Sequence, residues 1–168
     1  WILVPNGEAR IPTDIAQDPR VVVHPFREDV KGVGQIKAFA CSKAKGDAVV
    51  EFDADDLLTP NALEKVAEAL EDPSIQFVYS NDVEFEDGTM KPHTYSEYYG
   101  WRTRPFTYKG HRLEENIAWE PSPHMMRKIY WAPDHVRAWR MTAYRALGGH
   151  DTDLAVGDDH DLCCRTYI

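Results

Sequence analysis

Three carboxylates in four positions, Asp53-Ala54-Asp55-Asp56, follow directly on the apolar run Ala48-Val49-Val50-Glu51-Phe52. A strand ending in such a turn sets Asp53 and Asp55 where both can converge on one divalent cation. Hard carboxylate oxygens suit Mg2+ or Mn2+, and either ion in turn bridges phosphate oxygens. In open α/β sheets ligands bind just outside the carboxyl ends of the strands, which is where this turn would stand. The plainer account is an acidic loop ahead of the next helix, a favourable place for Asp in any case.

A second acidic group, Gly157-Asp158-Asp159-His160-Asp161-Leu162, comes about a hundred residues later. Its acids repel one another unless a cation, a basic partner or solvent relieves them. A carboxylate beside a metal-bound phosphate is well placed to take a proton from an incoming hydroxyl. A helix cap with solvated acids would look the same in sequence. The third motif is Lys31-Gly32-Val33-Gly34, leading into a helix that carries Lys37. Free N–H groups at a helix start, with an ammonium nearby, favour an anion such as a diphosphate. The seven histidines are scattered, and His93, His124 and His135 come nearest to ligand candidates. Tyr95, Tyr98, Tyr99 and Trp101 could stack on sugar rings, although aromatics at this density more often pack cores and loops.

Short apolar runs alternating with helical periods must position these groups, the pattern of βαβ units and a mainly parallel sheet. Trp1–Val4 and Arg20–His24 read as strands, and 31–44 as a helix with Ile36, Phe39, Ala40 and Ala44 on one face. Ala48–Phe52 is the third strand. Thr59-Pro60 is a good helix start, Thr59 as cap, with Leu63, Val66, Ala67 and Leu70 on the face toward the sheet. Ile75–Phe85 reads as a further strand, closed by the tight turn Asp87-Gly88. Residues 89–135 show no sustained period. Val136–Leu147 reads as a helix ended by Gly148-Gly149, and Asp158 as the cap of a last helix.

The composition is that of a soluble globular domain, 43% hydrophobic and 28% charged. A net charge of −9 argues against broad nucleic-acid binding, which needs a basic face. Three cysteines, two of them adjacent, make a poor disulfide framework, and no zinc spacing occurs. No apolar run is long enough for a bilayer span and no signal peptide opens the chain. The expected location is cytoplasmic, or at the inner face of a membrane. The chain opens in a strand and stops inside a helix, which reads as a fragment.

Strand–DADD–helix, then Arg145-Ala146-Leu147-Gly148-Gly149-His150-Asp151, then GDDHDL and Arg165, together resemble the inverting glycosyltransferases of family 2, over nearly the whole chain. The resemblance implies a GT-A fold: an α/β, Rossmann-like domain with a mainly parallel sheet and flanking helices, here truncated at both ends. Residues 1–168 would form one partial domain, with 1–88 as the nucleotide-sugar half and 89–168 as the acceptor side. It implies transfer of a sugar from a nucleoside-diphosphate donor, a UDP-sugar foremost, to a glycan or other hydroxyl acceptor, with inversion and a Mn2+ or Mg2+ cofactor. Carried over by position, Asp55 is the principal metal ligand and Asp53 contacts the ribose or the metal's water shell. Asp159 falls on the catalytic base, with Asp158 where the family usually has Glu. Lys37 falls near a basic position facing the diphosphate, and Asn6 on a turn where an acid often touches the nucleoside. Pro5-Asn6-Gly7 and His150 depart from the pattern, and the family's first strand has no counterpart before Trp1.

A haloacid dehalogenase-type phosphatase shares the strand-end DxD, but Leu57 stands where it needs Thr or Val. An EF-hand fails at Leu57 and Leu58. A binding domain for nucleotide sugars or carbohydrates, without transfer, is the non-enzymatic alternative. The glycosyltransferase reading expects the acids near 54 and those near 159 to face a common cleft.

Overall fold

Two short apolar runs start the fold in the computed structural model, which describes residues 1–25, 30, 32–129 and 132–168. Strands β1 (Ile2–Leu3) and β2 (Val22–Val23) pair in parallel, Ile2 opposite Val22 and Leu3 opposite Val23. Helix α1 (Thr13–Ala16) lies in the connection between them. Helix α2 (Val33–Ser42) follows, and then β3 (Ala48–Val50). The chain divides into two compact units, Trp1–Val49 with Arg140–Ile168, and Val50–Trp139, so that it passes from one to the other inside a strand.

In the second unit α3 (Ala62–Ala69) is capped by Asn61 rather than Thr59, without a side-chain hydrogen bond. Thr59 contributes its carbonyl, which accepts from the Ala62 N–H at 3.0 Å. Of the expected apolar face only Val66 is fully buried, and Leu63 and Ala67 are exposed. The single strand expected over Ile75–Phe85 is two, β4 (Phe77–Tyr79) and β5 (Glu84–Glu86), the latter paired antiparallel with β6 (Lys91–His93). A 3-10 turn at Glu97–Tyr99 precedes the hairpin of β7 (Thr103–Tyr108) and β8 (His111–Asn116). Lys109 and Gly110, at φ 48° and 81°, make its two-residue loop, the geometry that matches strand twist. Helix α4 (Pro123–Met126) begins at the Ser122 cap, whose Oγ accepts from the Met125 N–H at 3.2 Å. The irregular stretch expected over 89–135 therefore holds regular elements. Of the aromatics singled out there, Trp101 is 4% exposed, 4.4 Å from the Tyr95 ring and edge-on to Trp119, whereas Tyr98 and Tyr99 are exposed.

The helix expected over Val136–Leu147 is a strand followed by a shorter helix, β9 (Arg137–Arg140) and α5 (Met141–Ala146). Long-range burial overrides helical propensity here. Ala138 and Trp139 are completely buried, and the Trp139 ring lies 4.7 Å from Phe77 across the antiparallel β4–β9 pair. The sheet order is β3-β9-β4. The expectation of a mainly parallel sheet is corrected as far as registers are described: β1–β2 is parallel, while β4–β9, β5–β6 and β7–β8 are antiparallel. Helix α6 (Asp158–Tyr167) ends the first unit and packs against α2. Its N-cap is Gly157, at φ 79°, with Asp158 the first helical residue rather than the cap. The close approach depends on Gly34, where a Cβ would stand 2.7 Å from the Asp151 carbonyl oxygen and 2.8 Å from the Asp158 Cβ.

Candidate functional site

Glu51 fixes the end of the strand that leads into the acidic turn. Its N–H donates to the Arg137 carbonyl at 2.9 Å, and its carboxylate accepts from Arg137 Nε at 2.7 Å. These two side chains are 3% and 2% exposed. A charge in an apolar strand is tolerable only when paired in this way. The chain then turns, the Asp53 carbonyl accepting from the Asp56 N–H at 3.3 Å.

Asp53 and Asp56 both face His135. The ring's Nε2 is 3.6 Å from Asp53 Oδ2, and Nδ1 is 3.8 Å from Asp56 Oδ2 and 3.2 Å from Asp134 Oδ1. Ligand atoms of Asp53, Asp56 and His135 lie within 4.8 Å of one another. Asp55 is exposed and stands outside that trio. Burial pushes the Asp56 carboxyl up, His135 opposes the shift, and the charges of Asp55, Asp53 and Asp134 add to it. Arg137 also holds the imidazole, its Nη2 2.8 Å from His135 Nε2.

A second group, Asp82, Glu84 and Asp134, lies next to the first through Asp134. Burial drives the Asp82 carboxyl up to about 7, against the pull of the Asn116 amide, which donates to it at 2.8 Å. The Tyr95 hydroxyl donates to Glu84, and His93 Nδ1 lies 2.6 Å from the same carboxylate.

The other expected site residues belong to the first unit. Asp158 is 4% exposed, and its Oδ2 has no hydrogen-bond partner. His150 Nε2 stands 3.9 Å from that oxygen, and His150 Nδ1 is 2.8 Å from the Tyr144 hydroxyl. Burial raises the Asp158 carboxyl, while the charges of His150 and Lys37 lower it. Lys37 thus acts on Asp158 from α2. Asp159 is half-buried and accepts from the His160 N–H at 2.8 Å. Arg165 ties α6 to the glycine pair, donating to Asp161 at 2.8 Å, to the Gly149 carbonyl at 2.7 Å and to the Leu147 carbonyl. Asn6 lies on an exposed turn, where its carbonyl accepts from the Ala9 N–H at 3.3 Å. Lys31 lies outside the described residues.

Residues 7–131 match the model of glycosyl transferase family 2. The chain belongs to that family. It is therefore a glycosyltransferase domain, of a kind that takes a nucleotide-sugar donor and an acceptor. The matched span includes Lys37 and the DADD turn, and stops short of His135 and of the acids in α6. No curated protein matches the chain. Among the described residues no helix is long and apolar enough to cross a membrane.

Metal chemistry in this family 2 domain finds a fitting donor set: two carboxylates and an imidazole suit Mn2+, which accepts nitrogen, better than Mg2+, which prefers oxygen throughout. The sequence marked Asp53, but not Asp56, Asp134, Glu51 or Arg137. A lone charge within an apolar strand, as at Glu51, is a sequence signal for a buried partner. It does not say which arginine answers it.

Proposed function

We propose that this domain transfers a sugar from a nucleoside-diphosphate donor, a UDP-sugar foremost, to an acceptor hydroxyl with inversion, and that it depends on a divalent cation. The observation that carries the cation requirement is the convergence of Asp53, Asp56 and His135 at the carboxyl end of β3, the two acids lying within the span matched by the family. Asp53 and Asp56 would hold the ion, with Asp55 exposed beside them. When bound, the ion neutralises charge on the leaving diphosphate.

The remaining work falls to side chains. Asp159, half-exposed at the start of α6, accepts the proton of the acceptor hydroxyl as that oxygen attacks the anomeric carbon. Base catalysis of this kind contributes on the order of 10²–10⁴-fold. Asp158 is a poorer base candidate, because burial favours its neutral form. It lies buried at the helix start, with His150 beside it. Lys37 supplies positive charge toward the diphosphate.

Donor affinity, measured with and without Mn2+, and sugar transfer test this in two variants. Asp159→Asn should abolish transfer and leave donor binding nearly intact. Asp53→Ala should weaken Mn2+-dependent donor binding itself. Unchanged turnover in Asp159→Asn would remove the base assignment, and donor binding indifferent to Mn2+ would remove the cation.

A further inference from the structure

We propose that His135 is the third protein ligand of the cation, its Nε2 passing from Arg137 to the ion while Nδ1–H faces Asp134. The inference rests on the cation-dependent reading above and names a residue and a tautomer for it.

The bond from Arg137 assigns the ring. A guanidinium can only donate, so Nε2, 2.8 Å from Arg137 Nη2, must present its lone pair. The proton of a neutral imidazole is then on Nδ1, which faces Asp134 Oδ1 at 3.2 Å. Metal-ligating histidines characteristically donate their other ring N–H to a carboxylate, which fixes tautomer and orientation. The Asp134 carboxylate, whose Oδ1 accepts from the His135 backbone N–H at 2.7 Å, is the acid nearest that nitrogen. The same Nε2 is 3.6 Å from Asp53 Oδ2, and the ring belongs to the trio of converging ligand groups.

Arg137 holds the place of the cation. Its positive group sits on the lone pair that the ion would take, beside carboxylates that need a positive neighbour. Releasing Nε2 still leaves Arg137 its bonds to Glu51 at 2.7 Å and to the Pro133 carbonyl at 3.3 Å. The exchange therefore strands no buried charge.

Pulsed electron paramagnetic resonance of Mn2+ bound to the protein with UDP tests the proposal. The expected spectrum carries a coupling from a directly bound imidazole nitrogen. His135→Gln should lose that coupling and bind Mn2+ at least about tenfold more weakly, and Asp134→Asn should keep it with affinity reduced about 10–100-fold. If His135→Gln does not fold, the unmodified protein decides alone, since no other described histidine clusters with Asp53 and Asp56. A bound ion that depends on Asp53 and Asp56 but shows no nitrogen coupling overturns this inference and leaves the cation-dependent reading standing. A coupling that survives in a folded His135→Gln protein does the same. No Mn2+ binding with UDP present ends both.

Discussion

Arg137 and Glu51 are almost completely enclosed, and neither charge has solvent to fall back on. Arg137→Met should therefore cost about 3–5 kcal/mol by urea unfolding, because it leaves a buried carboxylate uncompensated. The double change Glu51→Leu with Arg137→Met should recover most of that loss, and a double variant as unstable as the single one would contradict the account. Asp82 gives a different signature. Its folded carboxyl titrates at about 7 against an ordinary 3.8. The folded state thus holds this proton more tightly than the unfolded chain does. The stabilisation is complete below the unfolded value and is lost as pH rises through the folded one. In metal-free protein, stability should fall between about pH 4 and pH 7, by up to roughly 4 kcal/mol from this group. Asp82→Asn should flatten that decline, as thermal melting at pH 5 and pH 8 would show.

At the scale of elements, the β7–β8 hairpin is only faintly legible in the sequence. Lys109-Gly110 separates two runs of equal length, yet a Pro and several charges hide the alternation. Lys109 occupies a left-handed conformation at φ 48°, which Asn tolerates better. Lys109→Asn should stabilise the fold by roughly 0.5–1 kcal/mol, read as a higher urea midpoint. Gly34 is the converse case. An added methyl meets a backbone carbonyl that cannot move aside cheaply. Gly34→Ala should lower stability by about 1–3 kcal/mol and, by shifting the start of α6, reduce transfer more than donor binding. The β9–α5 segment shows why boundaries fail. Arg137, Ala138 and Trp139 are placed by β4 and by Glu51, all remote in sequence, and no local period reveals them.

For the molecule as a whole, the order of motifs was more legible than their geometry. The match over residues 7–131 bears out the family and takes in the DADD turn, while the glycine pair and the acidic helix start lie beyond it. Asp53 could be read directly because a strand end and its turn are local. Asp56 and His135 could not, since their convergence depends on a segment 79 or more residues further along the chain. The pairing of the sheets is illegible for a related reason: antiparallel partners arrive late, from residues 91–140. Composition described the surface and was silent about the site. An acidic chain at net −9 still gathers Lys37, His150 and Arg137 where carboxylates need them.

The Glu51–Arg137 pair spans 86 positions, and it has a consequence for descent. Neither half can be replaced first without passing through a badly weakened intermediate. Drift at the two codons is consequently coupled. A lineage that abandons the pair must change both sites nearly together, or first accumulate enough surplus stability elsewhere to survive the gap.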